Sequence, residues 1–199
     1  MDIKIALSNL AYLGPALIIM WVVSLVYYLL KKKYNPKFII WFLLLILLIF
    51  IIGFSLFWYY NYQIFAATIG TDYEPVARYF YQEKILRHGS DLIASLVFSL
   101  LLTTLFYIVW KLTKGLVIDG LDVVLLFLAM LSSQWPNMLV FLVMVFVSVL
   151  LINIILIVIG RRPLNNRIII TPAIPVAVIL SLFFGNMISN AVGLSVIQF

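Results

Sequence analysis

The chain has 199 residues, of which 66% are hydrophobic and only 10% charged, and its mean hydropathy is +1.21. Soluble domains carry about 25% charged residues, so the composition excludes a soluble globular protein and points to an all-α protein whose first partner is the lipid bilayer. The net charge of +6 is not a nucleic-acid signature, because the Lys and Arg stand in short clusters beside apolar runs. With no cysteine and a single histidine, His88, the chain has no thiol chemistry or disulfides and no basis for a His- or Cys-built metal centre, and no cofactor motif occurs.

In chain order, the first apolar run predicts a helix near 13–30. It could pass for a secretory signal, but its cluster Lys31, Lys32, Lys33 follows the run rather than preceding it, which fits a retained span with its N-terminus outside. The turn "KKKYNPK" (31–37) leads to a second helix near 38–60. The segment 61–91, "NYQIFAATIGTDYEPVARYFYQEKILRHGSD", is polar and aromatic, and reads as an outer loop. A short amphipathic helix around 75–87 is expected to lie at the outer interface, with Ser90 or Asp91 capping a third helix near 92–113.

After "KLTKG" (111–115) comes the shortest apolar run, a helix near 117–134 that opens with Asp119 and Asp122. A fifth helix is predicted near 138–160. After "GRRPLNNR", the sequence "TPAIP" (171–175) opens a sixth near 173–197, proline being tolerated in a first helical turn. Asn153, Asn186 and Asn190 are expected to hydrogen-bond between helices. The expectation is a single integral domain, 1–199, with six transmembrane helices.

Orientation follows from the positive charges, which are retained on the cytoplasmic side. Lys31, Lys32, Lys33, Lys37, Lys111, Lys114, Arg161, Arg162 and Arg167 share one side, and Lys4, Arg78, Lys84 and Arg87 the other. Both termini and the 61–91 loop are therefore expected outside, with Asp119 and Asp122 at the cytoplasmic end of the fourth helix.

Only seven Asp and Glu occur in the chain. An Asp at the centre of a membrane helix costs about 2.5–3.5 kcal/mol on insertion scales, so it needs a pairing or functional reason. Asp122, a turn inside the run, is the first candidate site residue and Asp119 the second. The structural alternative is that both cap the helix start, complement its dipole and pair with Lys111, Lys114 or Arg161.

The order "KLTKGLVIDGLDVVLLFLAMLSSQWP", an apolar helix ending in "GRRP", then "NNRIIITPAIPVAVILSLFFGNMI" resembles the C-terminal half of the prepilin peptidases, and more closely the archaeal preflagellin peptidases. The resemblance covers about residues 92–190. It implies a six-helix GxGD aspartic peptidase fold in an archaeal plasma membrane, cutting the leader from a pilin-like or archaellin-like substrate at the cytoplasmic face. Asp122 then takes the place of the GxGD aspartate, with "DGLD" (119–122) carrying Asp119 and Leu121 where the motif has glycines.

The resemblance places the second catalytic Asp near Leu29, where there is no acid; between Asp2 and Asp72 the chain has none. Aspartic catalysis needs two carboxylates sharing a proton and a water. Asp119 and Asp122 share a helix face, yet neighbours on one turn diverge as they leave the backbone. Two readings follow: a degenerate, non-cleaving relative that serves as a binding or structural subunit of a membrane complex, or an active peptidase using Asp122 with Asp119.

Overall fold

The structure is a computed structural model that describes residues 13–115, 118–160 and 170–194, the side chains of residues 13, 87 and 88 excepted. Among these residues there are six helices and no strand: α1 (Leu13–Lys31), α2 (Pro36–Ala66), α3 (Glu74–Leu112), α4 (Gly120–Ser133), α5 (Asn137–Val158) and α6 (Ala173–Ala191). Five of them are long and apolar enough to cross a membrane; α4 is shorter.

The α1–α2 turn forms where the apolar run meets Lys31–Lys33. Asn35 caps α2 by accepting the Lys37 N–H at 3.0 Å, and Pro36 opens the helix, where a missing N–H costs nothing. At the other bounds "TPAIP" behaves as expected, with Pro172 at the N-cap of α6 and Pro175 in its first turn. The tail of the sixth predicted helix beyond residue 194, and Arg161, Arg162 and Arg167, lie outside the described residues.

One expectation is corrected. The 61–91 segment is not a loop with a separate interfacial helix: α2 runs on to Ala66, and α3 begins at Glu74 and continues unbroken through Ser90 and Asp91 to Leu112. Pro75 starts the helix, and Ala77, Tyr81 and Ile85 form a half-buried stripe on which Phe65 of α2 stacks against Tyr81 at 5.1 Å. With that face supported and no breaker but Gly89, the helix has no reason to stop where the charges end. Ser90 and Asp91 are therefore interior residues and not caps.

The fourth helix is present near its predicted bounds but is short. It covers 14 residues, about 21 Å at 1.5 Å per residue, less than the roughly 30 Å of bilayer hydrocarbon. Ten of its residues are buried, so α4 is the inner helix of the bundle, packed on α3, α6, α5 and α2. A helix enclosed on nearly all sides is held by its neighbours rather than by lipid. Leu125, Leu128, Met130, Met138, Phe141, Ile174 and Val178 fill the space around it, each 0% exposed.

The α5–α6 pair is the most extensive packing in the fold. Small residues allow it. The position of a Cβ on Gly185 would lie 3.0 Å from the Asn137 side chain, whose Nδ2 donates to Asn186 Oδ1 at 2.7 Å. Asn186 thus bonds across helices as expected, and one Asn153 bond runs within α5, from Nδ2 to the Val149 carbonyl at 2.7 Å.

Candidate functional site

The site is the basic end of the bundle, where the α1–α2 turn, the end of α3 and the start of α4 converge. Gly120 opens α4 against the Trp110 ring, 3.3 Å from where its Cβ would be, so "DGLD" needs its glycine for contact with α3. Beside it, Asp119 and Asp122 form a capping box. The Asp119 Oδ1 accepts the Gly120 N–H at 2.7 Å, its carboxylate also takes the N–H of Asp122, and Asp122 Oδ2 accepts the Asp119 N–H at 3.4 Å. Two of the orphan donors at a helix start are satisfied reciprocally in this way, and the negative charge complements the helix dipole.

The two acids have different surroundings. Asp119 is exposed, while Asp122 is 4% exposed and lies close enough to the Tyr28 and Tyr34 phenols to act on both electrostatically. Tyr34, from the turn, is 4% exposed; its hydroxyl donates to the Ser24 carbonyl at 3.1 Å and lies 2.9 Å from Ser24 Oγ. Burial first, then the nearby Tyr28 and Asp122, push the Tyr34 phenol up to about 12 against the opposing Ser24 bond. Tyr27, Tyr34 and Phe38 stack beside it, with centroids 4.0–6.1 Å apart.

Leu29, where the second acid was expected, is 54% exposed and directed away from the bundle. Tyr28 is the residue of that turn facing Asp122. The acids at 72, 74, 83 and 91 lie on the far half of the α2–α3 pair, Asp91 being 20 residues and about 30 Å of helix from Lys111. Asp119 and Asp122 are the only described carboxylates at the basic end, and both are engaged in one box on one turn.

Lys31, Lys32, Lys33, Lys37, Lys111 and Lys114 all surround this end, so the charge clusters that are scattered in sequence meet in space. Lys111 Nζ lies 5.7 Å from the centre of the Tyr107 ring. Among the described residues no group of three or more His, Asp or Glu is arranged to hold a metal ion. Sequence reasoning missed Ser24, Tyr28 and Tyr34; the signal was the Ser24–Tyr28 spacing of four on one face of α1, followed by a tyrosine in the turn.

Comparison of the chain with protein-family models, curated proteins and solved structures finds no match. The fold and composition define its class, a helical multi-pass membrane protein.

Proposed function

We propose that the protein is a non-cleaving membrane subunit with the six-helix arrangement of the prepilin and preflagellin peptidases, both termini outside, in the plasma membrane of an archaeon. It acts through binding or structure within a membrane complex. One observation carries this reading: Tyr28 and Tyr34 lie close enough to Asp122 to interact with it electrostatically, and among the described residues no carboxylate from another element lies at this end of the bundle. A phenol neutral at ordinary pH donates a hydrogen bond but does not share a labile proton with a carboxylate as an aspartic dyad does. The convergence of six lysines at the Asp122 end supports the cytoplasmic placement of that end.

The test is direct. The purified protein in detergent is incubated with a pilin-like substrate bearing a class III signal, beside an Asp122→Asn variant. The expected result is no leader cleavage by either, with a stable membrane partner retained on purification from the native membrane. Cleavage that Asp122→Asn abolishes would overturn the proposal in favour of the peptidase, with Asp119 and Asp122 as its acids.

A further inference from the structure

The apolar runs of α1 and α3 end at the same side of the bundle, each on a lysine. Residues 92–110 carry no charge and at 1.5 Å per residue cover about 28 Å, close to the roughly 30 Å of bilayer hydrocarbon. Lys111 follows, in the last turn of α3. The α1 helix is likewise free of charge until Lys31, in its own last turn. Both helices therefore present their first cation where hydrocarbon gives way to headgroups.

Helix geometry sets where these charges go. A Cα–Cβ bond tilts toward the helix N-terminus, and α1 and α3 both run toward this end, so Lys31 and Lys111 set out back along the apolar span. For Lys111 the result is on view: Nζ lies 5.7 Å from the centre of the Tyr107 ring, one turn inside the charge-free run. Lys37 stands in the first turn of α2, which runs the other way, so its Cα–Cβ bond tilts outward.

A cation laid back on an exposed ring needs an anion at that depth. Leu30 beside Lys31 and Leu112 beside Lys111 are 75% and 78% exposed, so apolar surface adjoins both charges. The protein supplies no counter-charge: Asp119 and Asp122 are tied into the capping box of α4, and neither lysine makes an ion pair among the described residues. A soluble anion would have to shed water to enter such a place. The phosphate of a phospholipid is already there, with its acyl chains against the leucines. In a zwitterionic headgroup that phosphate carries its own cation, whereas in an anionic one it does not, so the lysines favour the anionic lipid.

We infer that Lys31 and Lys111 seat the headgroup phosphates of anionic phospholipids, while Lys32, Lys33 and Lys114 add to the surrounding positive field. This holds whether or not the protein cleaves a leader.

The full-length protein is reconstituted into phosphatidylcholine vesicles with a trace of phosphatidylglycerol or phosphatidylcholine spin-labelled on the acyl chain, and the motionally restricted fraction is read by electron paramagnetic resonance. Phosphatidylglycerol is expected to associate about fivefold more strongly. Lys31→Gln with Lys111→Gln is expected to erase the preference, whereas Lys32→Gln with Lys33→Gln, an equal loss of charge, is expected to keep about half of it. No preference at the outset, or an equal loss in the two double variants, would overturn the inference, the latter by leaving only a general positive field. A measurement without variants gives the same decision: in about 1 M salt, where screening acts beyond about 3 Å, a contact-held preference is expected to persist in part, and its complete loss would overturn the inference. Displacement of the restricted lipid by glycerol phosphate in the buffer would assign the lysines to a soluble anion and overturn it as well.

Discussion

Ser95 Oγ accepts the Trp135 backbone N–H at 2.7 Å and donates to the Asp91 carbonyl at 2.7 Å. The serine is 1% exposed, and it serves the place where the chain leaves α4 and turns into α5. Irregular backbone at membrane depth survives only where protein satisfies its polar groups, so this hydroxyl fixes both the break and its height against α3. Ser95→Ala is expected to lower stability by about 1–3 kcal/mol by leaving a buried N–H unpaired. Ser99, one turn along and 0% exposed, has a hydroxyl with no hydrogen-bond partner among the described residues, and Ser99→Ala is expected to change stability by less than about 0.5 kcal/mol. Unfolding of both variants in detergent checks the contrast; equal losses would show that the Trp135 bond has no special weight.

The apolar spans were legible because their length is set by the bilayer and their composition leaves few alternatives. The continuity of α3 was not, since Glu74, Arg78, Glu83 and Lys84 look like a solvated segment until Phe65 is seen on Tyr81. The end of α4 was legible to within a residue, because Pro136 in "SSQWPN" disfavours helix just before it; the serine from α3 adds what satisfies the turn. At the site, the scarcity of acids led to Asp119 and Asp122 at the start of α4, and the absence of any acid between Asp2 and Asp72 was plain. That Tyr28 and Tyr34 come near Asp122 depends on the α1–α2 turn folding back, a tertiary fact that periodicity along α1 does not encode.

The capping box makes Asp119 a helix-start residue in the first place. Asp119→Ala is expected to cost about 1 kcal/mol, and Asp119→Asn a few tenths at most, because an amide oxygen still accepts the Gly120 N–H. Thermal unfolding in detergent separates the two. A loss equal in both variants would point to the charge of Asp119 rather than its acceptor as the source of its effect.

Glycine has opposite meanings at two helical positions. Gly185→Ala brings a methyl to 3.0 Å from the Asn137 side chain and disturbs its bond to Asn186; overpacking of this kind costs about 1–3 kcal/mol. Gly89 is interior to α3 with nothing within 4 Å of a Cβ, so Gly89→Ala is expected to stabilise by about 0.5–1 kcal/mol through helix propensity. The two substitutions therefore move the unfolding midpoint in opposite directions. Destabilisation by Gly89→Ala would contradict an open, continuous α3 at that point.

Tyr34 gives the site a signature in alkali. Its phenol is pushed up to about 12, first by burial, whereas an unfolded tyrosine ionises near about 10. The folded state therefore holds this proton longer than the unfolded one. The stabilisation from Tyr34 is complete below about pH 10 and is lost as pH rises from there through about 12. Ultraviolet titration of tyrosinate is expected to show a late-ionising component that Tyr34→Phe diminishes. Ser24→Ala is expected to raise that midpoint further, because the Ser24 bond favours the ionised phenol, and Asp122→Asn is expected to lower it, because the Asp122 charge opposes a second negative charge nearby. The opposite signs bear on the geometry itself: a midpoint indifferent to Asp122→Asn would remove the carboxylate from the tyrosine pair, and with it the observation on which the non-cleaving reading stands.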